Sequence, residues 1–133
     1  MSEMVPEPTG ENKETHAKRV IVDMEFFKDL TMGDYEFEKD LLMIFKDSAL
    51  KNLEKMEEAV TSDDSKAWSL ACHAFKGGAN AIGAVDLSKL LEHGQKNPGE
   101  NLEQKNIILQ KAKTEFEVVS KFLASEIERS LMF

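Results

Sequence analysis

Of the three histidines and the single cysteine in the chain, one histidine stands in a setting that calls for a chemical explanation. It lies in Trp68-Ser-Leu-Ala-Cys-His73-Ala-Phe-Lys76-Gly77-Gly78-Ala-Asn80-Ala-Ile82-Gly83. At about 100° per residue, Trp68, Ala71, Phe75, Gly78, Ala79 and Ile82 gather on one side of a helix and form its core face. His73 points almost directly away from them. Lys66, Ser69, Lys76, Gly77 and Asn80 lie beside it, with Leu70 at the margin. An imidazole placed this way faces solvent near the middle of its helix. In its neutral form, which dominates for an unperturbed histidine near neutral pH, it is the nucleophile that phosphoryl transfer needs.

Its neighbours are unusual for a merely solvated face. A glycine inside a helix costs up to about 1 kcal/mol relative to alanine, and here two stand together. Gly77, one turn beyond His73, removes the side chain that would stand next to the imidazole and leaves the ring open to a large partner. Gly78, turned inward, is expected to let another helix approach closely; both glycines could also be packing concessions. Lys76, at i+3, is within side-chain reach of the ring and would offset the charge of a phosphoryl group on it. Taken alone, Lys76 would read as a solvated lysine.

Other reactive residues carry less. Cys72 is adjacent to His73 but diverges from it by about 100°, so the two cannot share a proton as a nucleophilic pair. It reads as a small, half-buried filler. Glu92 and His93 have no second histidine at helical spacing and read as surface residues rather than metal ligands. His16 is alone in a polar segment, and Trp68 reads as a core residue at the edge of the fold.

The elements that must position His73 follow from periodicity and capping. Residues 1–19 are polar and interrupted by Pro6, Pro8 and Gly10, the composition of a disordered tail, which leaves 20–133 as one helical domain. Asp23 can cap a short helix presenting Phe26, Phe27 and Leu30 to a core; Gly33 closes it and Asp34 opens the next. From there to Val60, Phe37, Leu41, Leu42, Phe45, Ala49, Leu53, Met56 and Val60 form one stripe, with Lys and Glu opposite. The sequence TSDD supplies a break and a cap, and a third helix runs from about Asp64 to Ile82, ending at Gly83. Asp86 can cap a fourth helix carrying Leu87, Leu90 and Leu91, which fades before Asn97-Pro98-Gly99. Asn101 can start a last helix with Leu102, Ile108, Ala112, Phe116, Val119, Leu123 and Ile127 on its stripe. Nothing reads as a strand. Short connections join antiparallel neighbours, so the spacing predicts an all-α, up-down-up-down four-helix bundle with a short additional N-terminal helix across one end.

The run from His73 through Lys76, Gly77 and Gly78 to Ile82-Gly83-Ala84 resembles the signature of histidine-containing phosphotransfer (HPt) domains. That pattern is a histidine, a large apolar residue two on, Lys-Gly with small residues, and an apolar-Gly-Ala ending. The likeness spans about residues 21–130; Gly78 departs from it, since Ser or Ala is more usual there. The resemblance implies a phosphorelay intermediate of two-component signal transduction. Such a protein would accept a phosphoryl group on His73 from a receiver domain's aspartyl phosphate and pass it to the aspartate of another receiver. It implies partners among response-regulator receivers or a hybrid sensor kinase, a docking face of Lys66, Ser69, Leu70, Gly77 and Asn80, and charge stabilisation by Lys76. It also implies a glutamine on the following helix that hydrogen-bonds the imidazole; the equivalent position is Gln95, which reads equally well as a helix-end polar residue. No cofactor of its own is implied, Mg²⁺ being expected in the partner receiver.

Composition agrees with these expectations. A net charge of −8 argues against nucleic acid and anionic membrane as partners. One cysteine excludes an internal disulfide. No apolar run approaches the roughly 20 residues of a membrane span, and the N-terminus has no secretory h-region, so a cytoplasmic location is expected. No Gly-rich phosphate loop or Mg²⁺-binding carboxylate cluster suggests autokinase activity. Two alternatives remain in the sequence. A sensor-kinase dimerisation domain is also helical with an exposed histidine, but an acidic residue typically follows that histidine, where this chain has Ala74. Besides, a four-helix bundle within one chain needs no dimer. The second alternative is a helical adaptor whose histidine is incidental.

Overall fold

The computed structural model describes residues 19–132, and the expectations for the polar segment and His16 fall outside them apart from Arg19. Five helices follow in order: α1 (Met24–Thr31), α2 (Tyr35–Thr61), α3 (Ser65–Ala81), α4 (Val85–Lys96) and α5 (Leu102–Ser130). No strand occurs among the described residues.

Local chemistry accounts for most boundaries. The side chains of Asp23, Asp34, Asp64 and Asn101 each accept a hydrogen bond from the backbone N–H three residues on, satisfying donors that the first turn leaves free. Gly33 and Gly83 have φ of 73° and 79° after α1 and α3, a left-handed conformation that glycine adopts without penalty. The expectation for Asp86 differs from the structure. Ala84 is the N-cap residue of α4 and makes no side-chain cap bond. Asp86 lies inside the first turn, where its Oδ2 accepts from the backbone N–H of Val20 at 3.0 Å and pairs with Arg19 at 3.5 Å. The carboxylate ties down the incoming chain instead of capping the helix.

Helix α2 packs on α3 and α5, and α4 packs on the same two, which makes a square antiparallel bundle. The core runs along its axis through Phe45, Met56, Trp68, Phe75, Leu91, Leu109 and Leu123. Helix α1 lies across the end where α2 begins and α5 finishes, with Lys28 Nζ 3.2 Å from Ser130 Oγ. Only one stripe of α1 is covered, so Phe27 and Thr31 are buried while Phe26 and Leu30 stay 44% and 43% exposed, contrary to expectation.

Two charged residues occupy core positions that the apolar stripes of the sequence do not include. Glu38 is 1% exposed and accepts from Lys28 Nζ at 3.0 and 2.9 Å and from Thr31 Oγ1 at 2.8 Å. Phe37, placed on the buried stripe by its sequence, is exposed instead. Lys105 of α5 is also buried, donating to Ser65 Oγ at 3.2 Å with its ammonium 5.9 Å from the Trp68 ring centroid. These bonds offset the desolvation of each charge.

Candidate functional site

Helix α3 presents His73 at its midpoint, exposed, while Trp68, Ala71, Cys72, Phe75 and Ala79 are buried. Lys66, Leu70, Gly77 and Asn80 are exposed on the same side, and Ser69 and Lys76 are half-buried toward α4. The positions singled out on α3 therefore share one continuous face around the imidazole.

Hydrogen bonds and an ion pair hold that face against α4. Trp68 Nε1 donates to the carbonyl of Gly94 at 3.0 Å, Ser69 Oγ donates to the carbonyl of Gln95 at 3.2 Å, and Ser88 Oγ donates to Asn80 Oδ1 at 2.5 Å. Between them Lys76 Nζ stands 3.8 Å from Glu92 Oε1. His73 lies on α3 between the Ser69 and Lys76 levels. Glu92 also pairs through Oε2 with Lys96 at 3.2 Å, and Lys96 first, then Lys76, hold its carboxyl below the usual carboxylate range. Glu92 as the partner of Lys76 was missed in the sequence, where it was weighed only as a metal ligand. Among the described residues no group of three or more His, Cys, Asp or Glu side chains gathers in a metal-holding cluster.

The glycines divide by role. A Cβ added at Gly77 would meet nothing within 4 Å, so the space beside His73 is open to solvent. At Gly78 a Cβ would meet only Ser48 Oγ, at 4.0 Å, an ordinary contact. The approach of α2 therefore does not require Gly78, contrary to expectation. Among the glycines inside helices, the closely packed one is Gly94, where a Cβ would lie 3.1 Å from Cys72 Sγ and 3.4 Å from Ile108 Cγ2. Cys72 is fully buried rather than half-buried, and burial pushes its thiol up to about 12. Gln95 stands opposite Ser69, and its Oε1 is buried with no hydrogen-bond partner, the imidazole included.

An antiparallel helical bundle carrying a solvent-facing histidine with an adjacent lysine and an open glycine defines the class of a histidine phosphotransfer module. Comparison with known proteins agrees. A family model of the Hpt domain matches residues 40–116. The crystal structure of histidine-containing phosphotransfer protein B (HptB) from Pseudomonas aeruginosa PAO1 shares the fold. Its TM-score is 0.75 at 21% identity, over 84% of this chain and 98% of that one. No curated protein matches the chain in sequence. The family match spans more than half of the chain, which belongs to the Hpt domain family of phosphotransfer carriers in phosphorelay signalling. Receiver domains are the partners such carriers exchange phosphoryl groups with. No helix among the described residues is long and apolar enough to cross a membrane.

Proposed function

We propose that His73 accepts the phosphoryl group from a receiver's aspartyl phosphate and delivers it to the aspartate of a second receiver. The observation that carries this reading is the exposed imidazole at mid-α3 inside the family match, beside the open space at Gly77. A lone pair on an imidazole nitrogen forms the N–P bond, the P–O bond to the aspartyl carboxylate breaks, and the carboxylate leaves with the electron pair. Delivery to the second aspartate runs the same exchange in reverse. Lys76 offsets the charge carried on the ring, and Gln95, whose buried Oε1 has no partner on α3 or α4, is the residue to orient it. Lys66, Ser69, Leu70, Gly77 and Asn80 form the surface on which the receiver docks.

The chain supplies a positioned nucleophile, and the partner supplies Mg²⁺ and the acidic pocket. On this reading the protein has no autokinase activity, works in the cytoplasm as a monomer, and comprises a helical domain over 20–133 preceded by a tail. Its partners are response regulators or a hybrid sensor kinase. His73→Gln is expected to abolish acid-labile, alkali-stable labelling by a phosphorylated receiver while leaving far-UV circular dichroism unchanged, since position 73 faces solvent. Label retained by that variant, or traced to His93, would refute the assignment.

A further inference from the structure

Lys76 is not free in the resting protein. Its side chain is 20% exposed, and its ammonium stands 3.8 Å from Glu92 Oε1 on α4. The two ion pairs of Glu92 are unequal: Lys96 makes a hydrogen-bonded contact at 3.2 Å to Oε2, whereas Lys76 stands at 3.8 Å from Oε1. Lys76 is therefore the looser partner. If it turns toward a dianionic phosphoryl group one helical turn away, Glu92 keeps a counter-ion, so the exchange leaves no carboxylate unpaired.

We propose that Glu92 is a positioning residue that holds Lys76 while His73 is unmodified and yields it when the phosphoryl group arrives, with Lys96 remaining as the counter-ion of Glu92. This rests on His73 as the phosphoryl acceptor. Glu92 touches neither donor nor product; it acts through the fraction of time that the Lys76 ammonium is available. Competition of this kind lowers phosphoryl uptake in the resting state, and removing the competitor releases the lysine.

Phosphoramidate serves as a small donor that needs no docking surface. An imidazole nitrogen forms the new N–P bond, the donor's P–N bond breaks to release ammonia, and the other ring nitrogen gives its proton to solvent. Labelling rates are measured for wild type, Glu92→Gln, Lys76→Ala and the double variant, with His73→Gln as control and thermal midpoints confirming that all are folded. Exposed ion pairs are weak, so Glu92→Gln should label about two- to fivefold faster than wild type. In the Lys76→Ala background the same substitution should leave the labelling rate unchanged, a coupling that a merely structural role would not produce. Equal factors in both backgrounds, or no acceleration in wild type, would overturn the proposal and leave Glu92 acting by its own charge or not at all. Wild-type label that persists undiminished in His73→Gln would instead remove the acceptor assignment, and this inference would fall with it.

Discussion

The exposed imidazole of His73 and the empty space at Gly77 separate access from stability at single positions. Position 77 is helix-interior, and an added Cβ there meets nothing within 4 Å. Gly77→Leu should therefore hold or raise the thermal midpoint, since leucine is favoured over glycine in a helix by up to about 1 kcal/mol. The same variant should take phosphoryl groups from a receiver at least about tenfold more slowly, because the new side chain stands beside the ring where a partner must approach. Calorimetry together with single-turnover transfer checks both halves. A stable Gly77→Leu protein with normal transfer would mean that the glycine has no role in access.

Among the elements, α3 and α4 depend on each other most closely, and Gly94 sets how near they come. A methyl group at Gly94 would press on Cys72 Sγ at 3.1 Å and touch Ile108 Cγ2 at 3.4 Å and Trp68 Cζ2 at 3.6 Å. Overpacking a filled core costs about 1–3 kcal/mol, more than the helix propensity gained on replacing glycine by alanine. Gly94→Ala should thus destabilise the protein where Gly77→Leu does not, although both remove a helical glycine. The tightest of the three contacts is the sulfur, so Cys72→Ala should make room and reduce the cost of Gly94→Ala. Urea denaturation of the two single variants and the double variant reads the coupling; strictly additive losses would place the strain elsewhere.

For the whole molecule, the buried thiol of Cys72 links stability to alkaline pH. Burial raises it to about 12, whereas an unfolded cysteine titrates near about 8.5. Below the unfolded value both states keep the proton and the thiol contributes its full share. Between the two values the unfolded chain has released its proton and the folded chain has not, so stability falls as pH rises. The loss approaches about 1.4 kcal/mol for each pH unit in that window. Between about pH 8 and about pH 10.5, wild type should lose more stability than Cys72→Ala, and equal losses in denaturant titrations would count against a thiol held protonated by the core.

Much of this protein was legible before any fold was known, because local rules decide it. Capping chemistry placed Asp23, Asp34, Asp64 and Asn101 at helix starts, and the 3.6-residue period put His73 opposite the buried face of α3. Such features depend on neighbours within a turn or two, which the order of residues contains. Glu38 and Lys105 are buried near the starts of α2 and α5, seven residues before Phe45 and Ala112. An apolar pattern passes over charged residues, and the partners that make their burial tolerable stand on other helices. Asp86 looked like a cap by its type, and only the return of the N-terminal segment past α4 turned it toward Val20 and Arg19. The tertiary structure likewise decided which glycine packs tightly and which counter-ion Lys76 meets. Contacts between α3 and α4 depend on how far one helix slides and turns against the other, and that register is set by side chains distant in sequence, such as Trp68 bonding to Gly94.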